Sequence, residues 1–170
     1  MFLNYIKNAL AKKIVKKSLA NFKLIYVDSK IETIGVLIDA VYLESIESLV
    51  SDLVDQGIKK EHIQILVFRN NPKEEISYPS FSLKDMNWSA TFKNDSVDEF
   101  VNQHFDLLIN YYDVEKAPLL LVSFLSKANF KTGFASIDKR LNHFIVNTLA
   151  SNRGLFLSEL LKYLKILKKI

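Results

Sequence analysis

Residues 34–68, IGVLIDAVYLESIESLVSDLVDQGIKKEHIQILVF, decide the fold. They open on Ile34-Gly35-Val36-Leu37-Ile38, a short β-branched apolar run of the kind buried on both faces of a parallel sheet. Leu43, Ile46, Leu49, Val50, Leu53 and Val54 then recur along one stripe of a helix. Gly57 can adopt the left-handed conformation that ends a helix, with Ile58 as its apolar companion. Ile63 to Phe68 (IQILVF) is a second buried strand. Strand, helix and strand in this order and at these lengths make a right-handed parallel βαβ unit.

The pattern continues outward. Phe105 to Tyr112 (FDLLINYY) and Lys131 to Ala135 (KTGFA) read as further strands, with a helix from Leu119 to Ala128 between them and Pro118 in its first turn. Ser96-Val97-Asp98-Glu99 has the form of a capping box, which places a helix from there to about Gln103. Residues 69–95 hold two of the three prolines and read as a loop, followed by an extended pair at Phe81–Leu83 and Ala90–Phe92. Two closing helices are expected at 138–150 and 154–169, split by Asn152-Arg153-Gly154. The expected fold is α/β: a three-layer, Rossmann-like domain with a mostly parallel sheet, flanked by basic amphipathic helices at both ends. Residues 1–24 form the N-terminal helical segment and 25–170 a single domain closed by the helix 154–169.

Composition agrees. The 170 residues are 49% hydrophobic and 25% charged, enough to fold around one core without a metal or disulfide. No cysteine is present, which excludes disulfides, cysteine nucleophiles, thiolate zinc sites and iron–sulfur clusters. The uncharged stretch from Ala117 to Ser126 is about half the length of a membrane-spanning helix. No apolar core follows a charged start, so a secretory signal is not expected and the cytoplasm is the expected compartment.

Charge is segregated along the chain. Residues 1–30 carry seven lysines against Asp28, residues 31–150 carry a net charge of −6, and residues 151–170 a net charge of +4. An acidic body with two basic ends points to contact with an acidic surface, which includes the body of the same protein. In MFLNYIKNALAKKIVKKSLA, Leu3, Ile6, Leu10 and Ile14 lie at helical spacing, with Lys7, Lys12, Lys13, Lys16 and Lys17 mostly on other faces. Those lysines are the candidate surface-binding residues, for anionic lipid or nucleic acid. The near absence of arginine, found only at Arg69, Arg140 and Arg153, speaks against base readout. The closing helix LFLSELLKYLKILKKI carries Leu157, Leu160, Leu161, Leu164, Ile166 and Leu167, a face broad enough to cover the sheet or meet a partner.

Motifs for chemistry are missing. The turn after the first strand reads Asp39-Ala40-Val41-Tyr42, without the glycines that let a backbone approach phosphates. His62, His104 and His143 lack metal-ligand spacing, and no serine sits in a nucleophile elbow. No catalytic residue, metal or cofactor is assigned. One candidate ligand site remains, at the carboxyl ends of the strands: Asp39, Tyr42, Arg69, Asn110, Tyr111, Asp113, Asp138 and Arg140. The competing reading makes Asp39 and Asp113 caps of the helices after them.

The blocks IETIGVLIDA, KDMNW, FDLLINYY, LSKANFKTGF, DKRLN and ELLKYLKILKKI resemble a family of uncharacterised Bacteroidota proteins across nearly the whole chain. That resemblance implies a free-standing cytoplasmic domain and transfers no functional residue. The passage FDLLINYY…APLLLVSFLSKANFKTGF is similar to part of the N-terminal domain of heptosyltransferase-like glycosyltransferases. Those enzymes hold the nucleotide-sugar mainly through a second domain, for which this chain has no room, so the likeness implies a binding or scaffold role. The expected function is therefore binding or assembly through another protein or a second copy. The carboxyl-end site and lipid or nucleic-acid attachment are the alternatives.

Overall fold

The computed structural model describes residues 2–73 and 75–170. Six strands form one sheet: β1 (Ile34–Asp39), β2 (Ile63–Arg69), β3 (Ser80–Ser82), β4 (Leu107–Tyr111), β5 (Phe130–Phe134) and β6 (Phe144–Val146). Every pairing is parallel and the order is β3-β2-β1-β4-β5-β6. This is the doubly wound arrangement whose strand order reverses between β1 and β4. Five α-helices are described: α1 (Phe2–Ser18), α2 (Ile46–Val54), α3 (Asp95–Asn102), α4 (Ala117–Leu125) and α5 (Arg153–Ile166).

Right-handed crossovers put helices on both faces. Ile34, Val36 and Ile38 of β1 pack with α2 and α5, while Leu37 packs with α1, α3 and α4. All six β1 residues are buried, as a strand enclosed on both sides requires. Gly35 lies under the Phe105 ring: a Cβ there would stand 2.7 Å from Phe105 Cδ2. Gly57 takes φ +92°, and the Ile58 amide reaches back to the Leu53 carbonyl, closing α2 as its sequence implies.

Several local expectations are corrected. Residues 138–150 are not a helix: a 3-10 turn at Lys139–Leu141 leads into β6, which pairs with β5. Phe81 does not pair with the segment at Ala90–Phe92; β3 lies beside Val67–Arg69 of β2, and only a Met86–Phe92 antiparallel bridge joins the later segment. The cap of α3 is Asn94, whose side chain accepts from the Val97 amide, two residues before the expected Ser96. A capping box does occur, at Ser82 and Asp85.

The buried face of α1 differs as well. Ala11 and Val15 are buried against α4, and Leu19 just beyond the helix joins them, whereas Leu3, Leu10 and Ile14 are exposed. A small residue at 11 lets the two helices approach closely, and α4 itself is apolar almost all round. In contrast, α5 buries Phe156, Leu157, Leu160 and Leu164 and covers the sheet, leaving Ile166 outside.

Candidate functional site

The switch point between β1 and β4 is where doubly wound sheets hold ligands. Here it is filled by the protein's own side chains. Asp39 ends β1 and is buried. Its carboxylate accepts from the Val41 amide at 3.3 Å and from Asn70 Nδ2 at 2.9 Å, and pairs with the Lys116 ammonium. Lys116 also donates to Asn70 Oδ1 at 2.7 Å, and its charge lies over the Phe68 ring. In dinucleotide-binding relatives of this architecture, a phosphate sits at the turn after the first strand. Here Asp39 itself takes the Val41 amide and the Lys116 ammonium as its partners.

A second group adjoins it. The Tyr42 hydroxyl donates to Asp113 Oδ1 at 2.5 Å, and Asp113 Oδ2 accepts from the Ala150 amide at 2.9 Å. Burial, followed by the bond to Asp113, raises the Tyr42 pKa well above its ordinary value of 10.0. The hydroxyl therefore stays a donor at neutral pH. Tyr111 is fully buried. Its hydroxyl bonds the Ala150 carbonyl at 2.6 Å, and its ring packs on Tyr42, Phe134 and Phe156.

The reading of both aspartates as helix caps holds for Asp39, which caps the 3-10 turn at Ala40–Ser45. It fails for Asp113. The first amide of α4, on Ala117, is instead met at 2.9 Å by Asn8 Oδ1 from α1, a partner 109 residues away. The remaining candidates lie apart. Arg69 turns to the Pro72 carbonyl at 3.0 Å. Asn110 is buried within the sheet and donates to Asn142 Oδ1 at 2.8 Å. Asp138 and Arg140 form a local pair, and the Arg140 side-chain bonds hold the Asp138 carboxyl below its ordinary pKa.

The lysines of α1 divide. Lys12 and Lys16 both pair with Glu115, at 3.0 and 2.8 Å. Burial raises the Glu115 pKa, and these two ammonium groups outweigh it, so the net shift is downward. Lys7 donates to the Leu83 carbonyl at 2.9 Å, while Lys13 and Lys17 are exposed. Part of the basic N-terminus thus lies on the acidic body of the same chain.

Lys116 is the site residue that composition and motif search passed over. Nothing marks a lysine before Ala117-Pro118 as the partner of an aspartate 77 residues earlier; only the sheet order joins them. Asp39 and Asp113 each hold several protein partners at this crevice. A cavity of about 280 Å³ beside it, lined by Asn8, Asn70 and Lys116 among others, is roofed by the first turns of α1. Among the described residues, no group of three histidines or acids converges as metal ligands, and no helix is long and apolar enough to cross a membrane. No curated protein matches the chain. The sequence model of a family of unknown function, DUF6913, matches residues 7–167, and the chain belongs to that family.

Proposed function

We propose that the protein is a non-catalytic binding and assembly module that meets another protein, in the simplest case a second copy, through the outer face of α1. The observation that carries this reading is the exposed apolar stripe on that helix: Leu3 is 67% exposed, Leu10 47% and Ile14 41%. Phe2 adds to it at the start of the helix, and the exposed Lys13 and Lys17 flank it. Such a face fits an apolar patch with an acidic rim, and the acidic body of a second copy supplies the right charge. The cytoplasm is the compartment in which we place this activity.

Sedimentation velocity of the full chain over a wide concentration range tests the proposal. We expect concentration-dependent association that is lost in a Leu10→Glu, Ile14→Glu variant whose circular dichroism is unchanged. The second reading, attachment to anionic lipid, uses the same face, and Phe2 and Tyr5 beside lysines favour it. A protein that stays monomeric and floats with vesicles containing phosphatidylserine at low salt only would replace assembly by that reading. A monomer that binds no vesicle would remove both.

A further inference from the structure

We propose a second site, away from the switch point: a pocket for a phosphate-bearing small molecule at the amino end of β5. Its centre is Lys131, only 2% exposed. The ammonium donates to the Ser123 carbonyl at 2.7 Å and the Ser126 carbonyl at 2.8 Å, so two of its three donors close the C-terminus of α4. Helix carbonyls supply only partial charge. Among the described residues, no carboxylate lies within ion-pair distance of Lys131, so its full positive charge is buried without an anion.

Lys131 lines a cavity of about 300 Å³, between the segment 22–27 and the starts of β5 and β6. Every ionisable side chain around that cavity is basic: Lys23, His104, Lys127, Lys131 and His143. No aspartate or glutamate takes part. This contrasts with the switch point, where Lys116 is paired with the Asp39 carboxylate. Lys23 and Lys127 are exposed, as rim residues that draw an anion in would be. The position of His143 is fixed: Nδ1 accepts from the Lys131 amide at 2.9 Å, Nε2 faces the Ile25 carbonyl at 3.3 Å, and the ring stacks on Phe130. The pocket is large enough for a phosphate with a short organic group and too small for a dinucleotide. The Lys131 ammonium also lies over the Phe22 ring, and a buried cation with two lysines on the rim suits a dianion better than a carboxylate.

The test is a ¹H–¹⁵N chemical-shift titration of the full chain with inorganic phosphate, at constant ionic strength set by chloride. We expect saturable shifts confined to the amides of residues 22–27 and 126–131. Lys131→Met, which keeps the volume and removes the charge, should weaken binding roughly thirtyfold or more. Should that variant fail to fold, the surface pair Lys23→Gln, Lys127→Gln leaves the core intact and should weaken binding roughly threefold. Phosphate that shifts no more amides than chloride does, or that binds the variants as tightly as the parent, would overturn the proposal. Acetate that saturates the same amides when phosphate does not would reassign the pocket to carboxylates.

Discussion

Replacing Lys131 by methionine should remove a specific piece of the protein's pH-dependent stability. Burial lowers the pKa of the Lys131 ammonium from 10.5 to about 8. The unfolded chain therefore holds this proton up to higher pH than the folded one, so unfolding takes up a proton between those values. Stability must then rise with pH across that window. At 1.36 kcal/mol per unit, the charged lysine costs about 3 kcal/mol at neutral pH, and most of that is recovered between pH 7 and pH 10. Absolute stability at pH 7 is a poor readout, because the variant also loses two charge-assisted hydrogen bonds, each contributing roughly 1.5–3 kcal/mol. The slope is the useful quantity. Tyr42 and Tyr112, held above their ordinary pKa chiefly by burial, titrate at the alkaline end in both proteins and cancel in the difference. Urea unfolding followed by circular dichroism, at half-unit steps of pH in phosphate-free buffer, measures it. The parent should gain about 2–3 kcal/mol relative to the variant from pH 7 to 10. Parallel curves would mean that water reaches the ammonium in the folded state, and the burial argument would be refuted.

Two further outcomes follow from the packing. Gly35→Ala drives a methyl group to 2.7 Å from the Phe105 ring in a fully buried strand, and should lower the unfolding free energy by about 1–3 kcal/mol in urea titration. Asn8→Ala removes the acceptor at the α4 N-terminus and should cost about 1 kcal/mol, with α1 showing the earliest loss of amide-exchange protection.

Most of the sheet was legible because its strands are enclosed. β1, β2, β4 and β5 are short β-branched or aromatic runs, and the chain between them carries helical periodicity or a helix-stopping glycine. β6 is a run of the same kind, but only three residues long. Its three residues, Phe144, Ile145 and Val146, follow a 3-10 turn and become a strand by pairing with Thr132–Phe134. The same holds for β3, whose partner Val67–Arg69 could not be chosen from sequence. The sequence pointed to Ser96 as the cap of α3; the cap is Asn94, whose side-chain oxygen accepts from the Val97 amide while its amide group donates to the Ser80 carbonyl at 3.2 Å, a partner supplied by the tertiary structure.

The candidate site was legible in position and not in state. Asp39, Tyr42 and Asp113 do gather at the end of the sheet where such residues converge, yet the ion pair with Lys116 and the bond from Asn70 that close the crevice join residues far apart in the chain. The N-terminal helix shows the same division most clearly. Local periodicity pointed to a helix over residues 1–24 with an apolar stripe at Leu3, Ile6, Leu10 and Ile14; the helix runs from Phe2 to Ser18. Which stripe is buried is a property of the surface it meets: α4 accepts the small face of Ala11 and Val15, and Glu115 draws in Lys12 and Lys16. Secondary structure follows mostly from neighbours in sequence, so the chain alone determined β1, β2, β4 and β5, most helices and the doubly wound class. Burial, charge pairing and the unpaired cation at Lys131 depend on neighbours in space, and only the tertiary structure decided them.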